Sequence, residues 1–384
     1  MNKNELLIAG AGTGKTTYLI EEALKIKNKR VLITTYTINC RNEIESKIIN
    51  KIGYIPNNIV IQTWFSFLLE HGIRPYKKIL GIKEVNGIHF VEGKSGLKYK
   101  TTKGFPVYYG ENEFENYYFD TNKRIYTDKL SKLVIKINEK SEGLVIDRIS
   151  KIYDYIFIDE VQDMVGYDLK IIKSMLCTQS NIKLVGDPRQ NIYNTHHAEM
   201  YKKYSKGSID DFLTNECKNI EWEIDDKSLT MCYRCFKDII NFVNIFYQEY
   251  GALKSIEKPK DEHQGVFIIA KEDVDRYLKK YNPIQLIYDS RTKINSNYRS
   301  TTYGKSKGAT YERVLLYPTG EFKKYLKGKK CKIDGITKNK LYVAMTRPAK
   351  SLTFVCDDLD NIFNLKKGIW NSKINSFTEN LKIF

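Results

Sequence analysis

Close to the start of the chain, Leu6-Leu7-Ile8 runs into Ala9-Gly10-Ala11-Gly12-Thr13-Gly14-Lys15-Thr16-Thr17. The three apolar residues read as a short buried strand, the glycines as a turn, and Thr16 to about Lys27 as a helix. Strand, glycine-rich loop and helix in that order are the context that gives Ala-x-x-x-x-Gly-Lys-Thr its meaning as a phosphate-binding loop. Ala9 stands where glycine is more usual. Gly10, Gly12 and Gly14 still allow the backbone to curl and aim its N–H groups inward, and the helix start behind them adds partial positive charge. Residues 9–17 are therefore expected to cradle phosphates, with Lys15 reaching the β- and γ-phosphates and the Thr16 hydroxyl on Mg²⁺. An ordinary glycine-rich turn is the plainer alternative, and the ordered strand, loop and helix argue against it.

A chain that opens this way needs a parallel sheet, and further strands follow. Arg30 to Tyr36 reads as a second buried strand, trailed by a helix carrying Glu43, Ile44 and Ile48. Ile59 to Thr63 reads as a third, with Trp64 to Leu69 opening another helix. Strands alternating with helices predict an α/β fold. From about Pro75 to Ile149 the texture shifts to short segments rich in Tyr, Lys and Gly, with helices expected near Asp128–Ile137 and Glu142–Lys151. This stretch reads as an insertion outside the core layers.

At Tyr155-Ile156-Phe157-Ile158 the sheet resumes and ends in Asp159-Glu160. Carboxylates at the carboxyl end of a parallel strand occupy the usual ligand edge of an α/β sheet. Asp159 is expected to hold Mg²⁺ through water, and Glu160 to orient and deprotonate the attacking water. A pair of helix-capping acids is the alternative. Ile182 to Val185 is the next strand and leads into Gly186-Asp187-Pro188-Arg189-Gln190-Asn191-Ile192-Tyr193. An Asp-Pro turn accounts for Asp187 and Pro188, whereas Gln190 is placed to sense a γ-phosphate through its amide.

Composition narrows the partners. The 384 residues carry a net charge of +17, which favours a polyanion. Aromatic residues are 12 %, with 28 Tyr, and supply both core and stacking faces. No apolar run approaches the ~20 residues of a membrane span. The phosphate loop begins almost at once, without a signal-peptide pattern. Seven scattered cysteines fit reduced thiols, so a cytoplasmic protein is expected. Cys232-x-x-Cys235 lacks the second pair that zinc would need.

Taken together the motifs resemble the UvrD/Rep-like superfamily 1A helicases. Residues 9–16 resemble the family's first motif. Thr35-Tyr36-Thr37 with Glu43 resembles the next, whose aromatic stacks on a single-strand base, and Thr63-Trp64-Phe65-Ser66-Phe67 resembles Thr-x-His-x-Phe with Phe65 in the His position. Asp159-Glu160-Val161-Gln162-Asp163 and residues 186–193 resemble the acidic and third motifs. Tyr233-Arg234-Cys235 resembles Tyr-Arg-Ser, and Ser306-Lys307-Gly308 resembles the Ser/Ala-Lys-Gly motif. Leu341 to Arg347 resembles the last, whose Arg is an arginine finger. The resemblance implies two RecA-like domains in tandem: residues 1–76 and 151–226 form the first, 77–150 the insertion and 227–384 the second. It implies Mg-ATP as cofactor, Arg234 and Arg347 on the γ-phosphate, and Gly308 beside the nucleotide. It also implies a single strand contacted by Thr35, Tyr36, Thr63, Phe65, Tyr193, His196, Thr302 and Lys307.

Departures from the family shape the expected function. Asn194-Thr195-His196-His197 stands where the family has a stacking Trp, so His196 or Tyr193 must substitute. Gly304 stands in place of His, Thr310 in place of a common Glu, and Pro348 follows Arg347. Only five residues precede Leu6, where the family carries an adenine-recognising Gln segment. Arg234 and Ser306 lie 72 positions apart, which leaves no room for the family's large second-domain insertion. Two functions are therefore expected from this sequence. The first is an ATP-driven translocase or helicase on single-stranded DNA, or at duplex ends. The second is a nucleic-acid-sensing ATPase that gates a protein partner such as a nuclease. An RNA substrate is a third reading, without an identifiable reader of the 2′-hydroxyl.

Overall fold

The computed structural model describes residues 4–193, 199–247, 250–257 and 262–357, with the backbone of two short strands, Ile369–Asn371 and Ser376–Thr378. The expected His196 lies outside the described residues. By contact the chain divides into two units. One holds residues 1–8, 15–188 and 193–225. The other holds 9–14, 189–192 and 226–384.

The first unit is built on a six-stranded sheet. Its spatial order is Glu223–Asp225, Glu5–Ile8, Asn181–Gly186, Tyr155–Ile158, Val31–Thr35, Ile59–Thr63, and every neighbour runs parallel. Leu6, Leu7, Val31, Leu32, Ile33, Ile156 and Ile158 are fully buried. Helices cover both faces of an all-parallel sheet, so its strands read as unbroken apolar runs, as they do here. Parallel register also puts all carboxyl ends on one edge. Ile8, Thr35, Thr63, Ile158 and Gly186 close their strands there, each followed by a motif.

The insertion divides in two. Its front part carries the two-residue strand Ile88–His89, paired with Ile125–Tyr126, and the hairpin Leu97–Lys100/Pro106–Tyr108. Its rear part is helical, Thr127–Lys140 and Leu144–Ile152, and this part is core. Leu130, Leu133 and Ile137 are fully buried, and Val134 presses on Gly72, where a Cβ would stand 2.7 Å from Val134 Cγ2. Trp64 Nε1 donates to Asp168 Oδ1 at 2.7 Å, and Ser131 Oγ donates to the same buried carboxylate. That shared acceptor ties the helix Thr127–Lys140 to Tyr167–Leu176 and to the segment after the third strand.

The second unit holds a seven-stranded sheet ordered Ser300–Thr302, Ile284–Ile287, Tyr311–Leu316, Pro348–Cys356, Gly265–Ala270, Ile369–Asn371, Ser376–Thr378. All pairs are parallel except the last. Ile268, Leu286, Val314, Leu316, Phe322, Tyr342, Leu352 and Phe354 form its core, with Ile239 and Val243 of the helix Lys237–Phe246.

Candidate nucleotide and nucleic-acid site

Within the first unit, the edge where the strands end gathers the expected hydrolytic residues. Lys15 opens the helix Lys15–Lys25 and is buried. Thr16 Oγ1 donates to Asp159 Oδ2 at 3.4 Å, and the Glu160 N–H donates to Asp159 Oδ1 at 2.9 Å. Asp159 is 3 % exposed. Burial pushes its carboxyl up to about 7, with the Glu160 charge adding to the rise and the Lys15 ammonium opposing it. A hydroxyl and a carboxylate this close are hard oxygen donors, and a buried carboxylate short of positive charge suits a divalent cation. The pair fits Mg²⁺, which is held by one or two protein oxygens and completed by phosphates and water.

Glu160 has φ of +56°, a left-handed backbone unusual for a side-chain-bearing residue. Such strain persists where surrounding contacts overdetermine it. Those contacts run through Gln162, whose Nε2 donates to Glu160 and whose Oε1 accepts from the Asp187 N–H at 3.0 Å. Gly186 leaves the room: a Cβ there would stand 2.5 Å from Gln162 Oε1. The acidic motif and the turn after Asn181–Gly186 are thus one hydrogen-bonded piece.

The second unit includes the glycine loop 9–14 and the turn 189–192. The Tyr233 N–H donates to Gly12 O at 2.9 Å, the Ala11 N–H donates to Tyr342 Oη at 3.1 Å, and Thr13 Oγ1 donates to Gly10 O at 2.9 Å. Gly12 has φ of +73°, and a Cβ on it would meet Arg234 Cβ at 2.7 Å and Cys232 Sγ at 2.9 Å. Arg234 therefore sits against the loop, and its Nη1 donates to Thr346 O at 3.2 Å. Cys232 and Cys235 flank it, both buried. The Cys235 thiol, by hydrogen bonding, holds Cys232 down at about 6. Arg189, also buried, lies over the rings of Tyr342 and Tyr250 at 5.3 and 5.6 Å.

Arg347 is 1 % exposed. Its Nε donates to Val343 O at 2.8 Å, Nη1 to Ala309 O at 3.3 Å, and Nη2 to Thr346 Oγ1 at 3.1 Å and Gln190 Oε1 at 3.2 Å. Lys307 Nζ donates to Gln190 O at 3.1 Å. Gln190 is thus gripped through both backbone and side chain by two cationic residues of expected motifs. Gly308 has φ of +84° in the turn after Thr302, with nothing within 4 Å of a Cβ, so backbone conformation alone calls for glycine.

The expected nucleic-acid contacts sort by exposure. Tyr36, Thr302 and Lys307 are half-buried and Tyr193 is exposed. Three others are buried. Thr35 is fully buried inside its strand. Thr63 caps the helix Trp64–Phe67, its Oγ1 accepting from the Ser66 N–H at 3.2 Å. Phe65 is 4 % exposed, held between the rings of Tyr36 and Phe90. Phe90 carries no sequence signal of its own, since nothing periodic surrounds it.

A family model described as "AAA domain" matches residues 1–196, and one described as "Viral superfamily 1 RNA helicase core domain" matches residues 121–356. The chain is a UvrD/Rep-like member of the superfamily 1 helicases. The two sheets are accordingly the RecA-like pair of a P-loop NTPase. Among relatives of this chain, Gabija protein GajB of Bacillus cereus (strain VD045) is 28 % identical over 277 residues, covering 70 % of this chain and 51 % of the relative. The ATP-dependent DNA helicase Rep of Buchnera aphidicola subsp. Acyrthosiphon pisum is 23 % identical over 78 % of this chain and 53 % of its own. The probable DNA helicase II homolog of Mycoplasma capricolum is 24 % identical over 71 % and 42 %. The chain spans about half the length of these curated relatives. An arterivirus nonstructural protein 10 helicase solved with DNA aligns at a TM-score of 0.47 and 14 % identity, over 92 % of this chain and 60 % of that one. No helix among the described residues is long and apolar enough to cross a membrane.

Proposed function

We propose that this chain is the ATPase core of a motor that moves on single-stranded DNA. The observation that carries the reading is the meeting of Lys15, Thr16, Asp159 and Glu160 at one edge of a parallel sheet. In this reading the N–H groups of residues 9–17 and the Lys15 ammonium bind the triphosphate, and Thr16 and Asp159 would hold Mg²⁺, which would supply positive charge to the phosphates. Glu160, fixed in its left-handed conformation by Gln162, takes a proton from the attacking water. Gln190, Arg234 and Arg347 report the γ-phosphate. The Arg347–Gln190 hydrogen bond is the contact that hydrolysis would reset, because both groups have the chemistry to exchange one another for a phosphate oxygen. Tyr36 and Tyr193 stack on bases, Thr302 and Lys307 hold the backbone, and affinity falls with salt.

A second reading is an ATPase that senses nucleic acid and gates a protein partner without processive unwinding. It is favoured by the short interval between Arg234 and Ser306. Displacement of a long duplex strand separates the two, since the motor performs it and the sensor does not. The first test is ATP turnover with no nucleic acid, oligo-dT, oligo-U and blunt duplex. Oligo-dT is expected to stimulate turnover most. Lys15→Ala should abolish it, and Glu160→Gln should retain nucleotide binding while losing ~10² or more in rate. Near-normal turnover in either variant would sink the assignment.

A further inference from the structure

We propose that Phe90, in the insertion, is an additional base-stacking residue that carries a bound single strand beyond Tyr36. The proposal rests on the motor reading above and adds to it a residue outside the family motifs of this sequence. Phe90 is 67 % exposed, although it is a large apolar side chain. Its ring stands edge-on to Phe65, with centroids 6.1 Å apart and planes at 73°, and Phe65 stands edge-on to Tyr36 at 5.6 Å and 61°. Phe65 is the buried member of this row. It acts as a fixed spacer, set by the helix Trp64–Phe67 and its Thr63 cap. The two outer rings are those a base can reach.

The backbone around Phe90 is pinned. His89 pairs with Tyr126 in a parallel bridge, its Nδ1 lies 2.7 Å from Asp120 Oδ2, and the Val91 N–H donates to Thr127 Oγ1 at 3.1 Å. The ring is therefore presented to solvent by a fixed frame and has not simply been left on a loose loop. The surrounding chemistry selects the occupant. Residues 83–109 carry Lys83, Lys94, Lys98, Lys100 and Lys103 against Glu84 and Glu92, with Lys98 paired to Glu113 at 2.9 Å. The adjoining hairpin exposes Tyr99 and Phe105, while Lys94 lies 4.5 Å over the Tyr108 ring. Exposed π-faces among ammonium groups suit a strand with unpaired bases and a charged backbone, since every base has a face to stack and every linkage a charge to neutralise. An apolar protein partner would not call for the lysines.

The test measures binding of fluorescein-labelled oligo-dT to the full chain by anisotropy, for wild type, Phe90→Leu, Phe90→Trp and Tyr36→Ala, with thermal melts alongside. Leu keeps an apolar side chain against Phe65 and removes the π-face, so Phe90→Leu should weaken binding about tenfold, the loss of roughly one stacked base. Phe90→Trp should bind at least as tightly as wild type, and all three variants should melt with wild type. Wild-type affinity in Phe90→Leu alongside weakened Tyr36→Ala would overturn the proposal and spare the motor reading. Equal losses in Phe90→Leu and Phe90→Trp would overturn it too, by showing a packing role. Absence of oligo-dT binding by wild type would overturn both.

Discussion

Gly12 concentrates the chemistry of the phosphate loop into one Cα. Its positive φ costs a side-chain-bearing residue ~1–3 kcal/mol, and the Cβ would also collide with Arg234 Cβ and Cys232 Sγ. Neither neighbour is the far end of a flexible chain, so neither can step aside. Gly14 has φ of +88° but nothing within 4 Å. Gly12→Ala should therefore lower the melting temperature of the nucleotide-free protein more than Gly14→Ala, which bears backbone strain alone. Equal shifts in a calorimetric scan would remove the steric argument. The glycines, Lys15, Thr16, Asp159 and Glu160 were legible in the sequence because backbone curl, charge and hard oxygens are properties of the residue itself. Exposure is a property of neighbours, and residue type alone does not carry it. Phe65 sits under Tyr36 and Phe90, residues drawn from three separate segments, and Thr63 spends its hydroxyl on a helix cap. The left-handed Glu160 was hidden for the same reason, since Gln162 and Gly186 create it jointly.

At the scale of elements, the buried strands of the first sheet and the two helices near 128–151 were legible, and the packing of those helices was not. Continuous apolar runs such as Val31–Thr35 and Tyr155–Ile158 have one explanation in a buried parallel sheet. Tyr and Lys in short segments have several, and the helix Thr127–Lys140 turned out to be core because of what packs on it. Glu111 shows how the front of the insertion is fastened to that helix. Its carboxylate lies 2.7 Å from Lys136 Nζ, accepts from Tyr118 Oη at 2.6 Å and pairs with Lys132. Partial burial opposes its charge, but the two lysines and the tyrosine hydroxyl outweigh that and bring its carboxyl down to about 2. A carboxyl lowered on folding contributes stability above its unfolded value of ~4.3, and that contribution is lost as pH falls from there towards 2. The urea midpoint of wild type should thus drop more steeply between pH 5 and pH 3 than that of Glu111→Gln. Parallel curves would mean that the lysines do not hold this group.

At the scale of the whole molecule, the charge of +17 bears on how binding responds to salt. Each phosphate neutralised on a single strand contributes a slope of about −0.7 to log affinity against log salt. A strand crossing several basic residues should show a slope steeper than about −2, measured by anisotropy with oligo-dT from ~50 to ~200 mM salt. A flat response would leave the excess charge without a nucleic-acid role. The architecture was legible at this scale because five strands of the first sheet end in a recognisable motif. What remained illegible was that residues 9–14 and 189–192 group with the second unit, which depends on Arg234, Tyr342 and Arg347 far downstream.

The placement of Glu5–Ile8 has a consequence for how this protein is born. That strand is flanked by Asn181–Gly186 on one side and Glu223–Asp225 on the other, with Leu6 beside both Leu184 and Ile224. The first motif to leave the ribosome therefore waits for neighbours synthesised much later. At ~5–20 residues per second the delay is on the order of ten seconds or more, during which an apolar strand and its glycine turn stay unpaired. Nascent chains cut before Asn181 should emerge unable to retain nucleotide, however intact their phosphate loop.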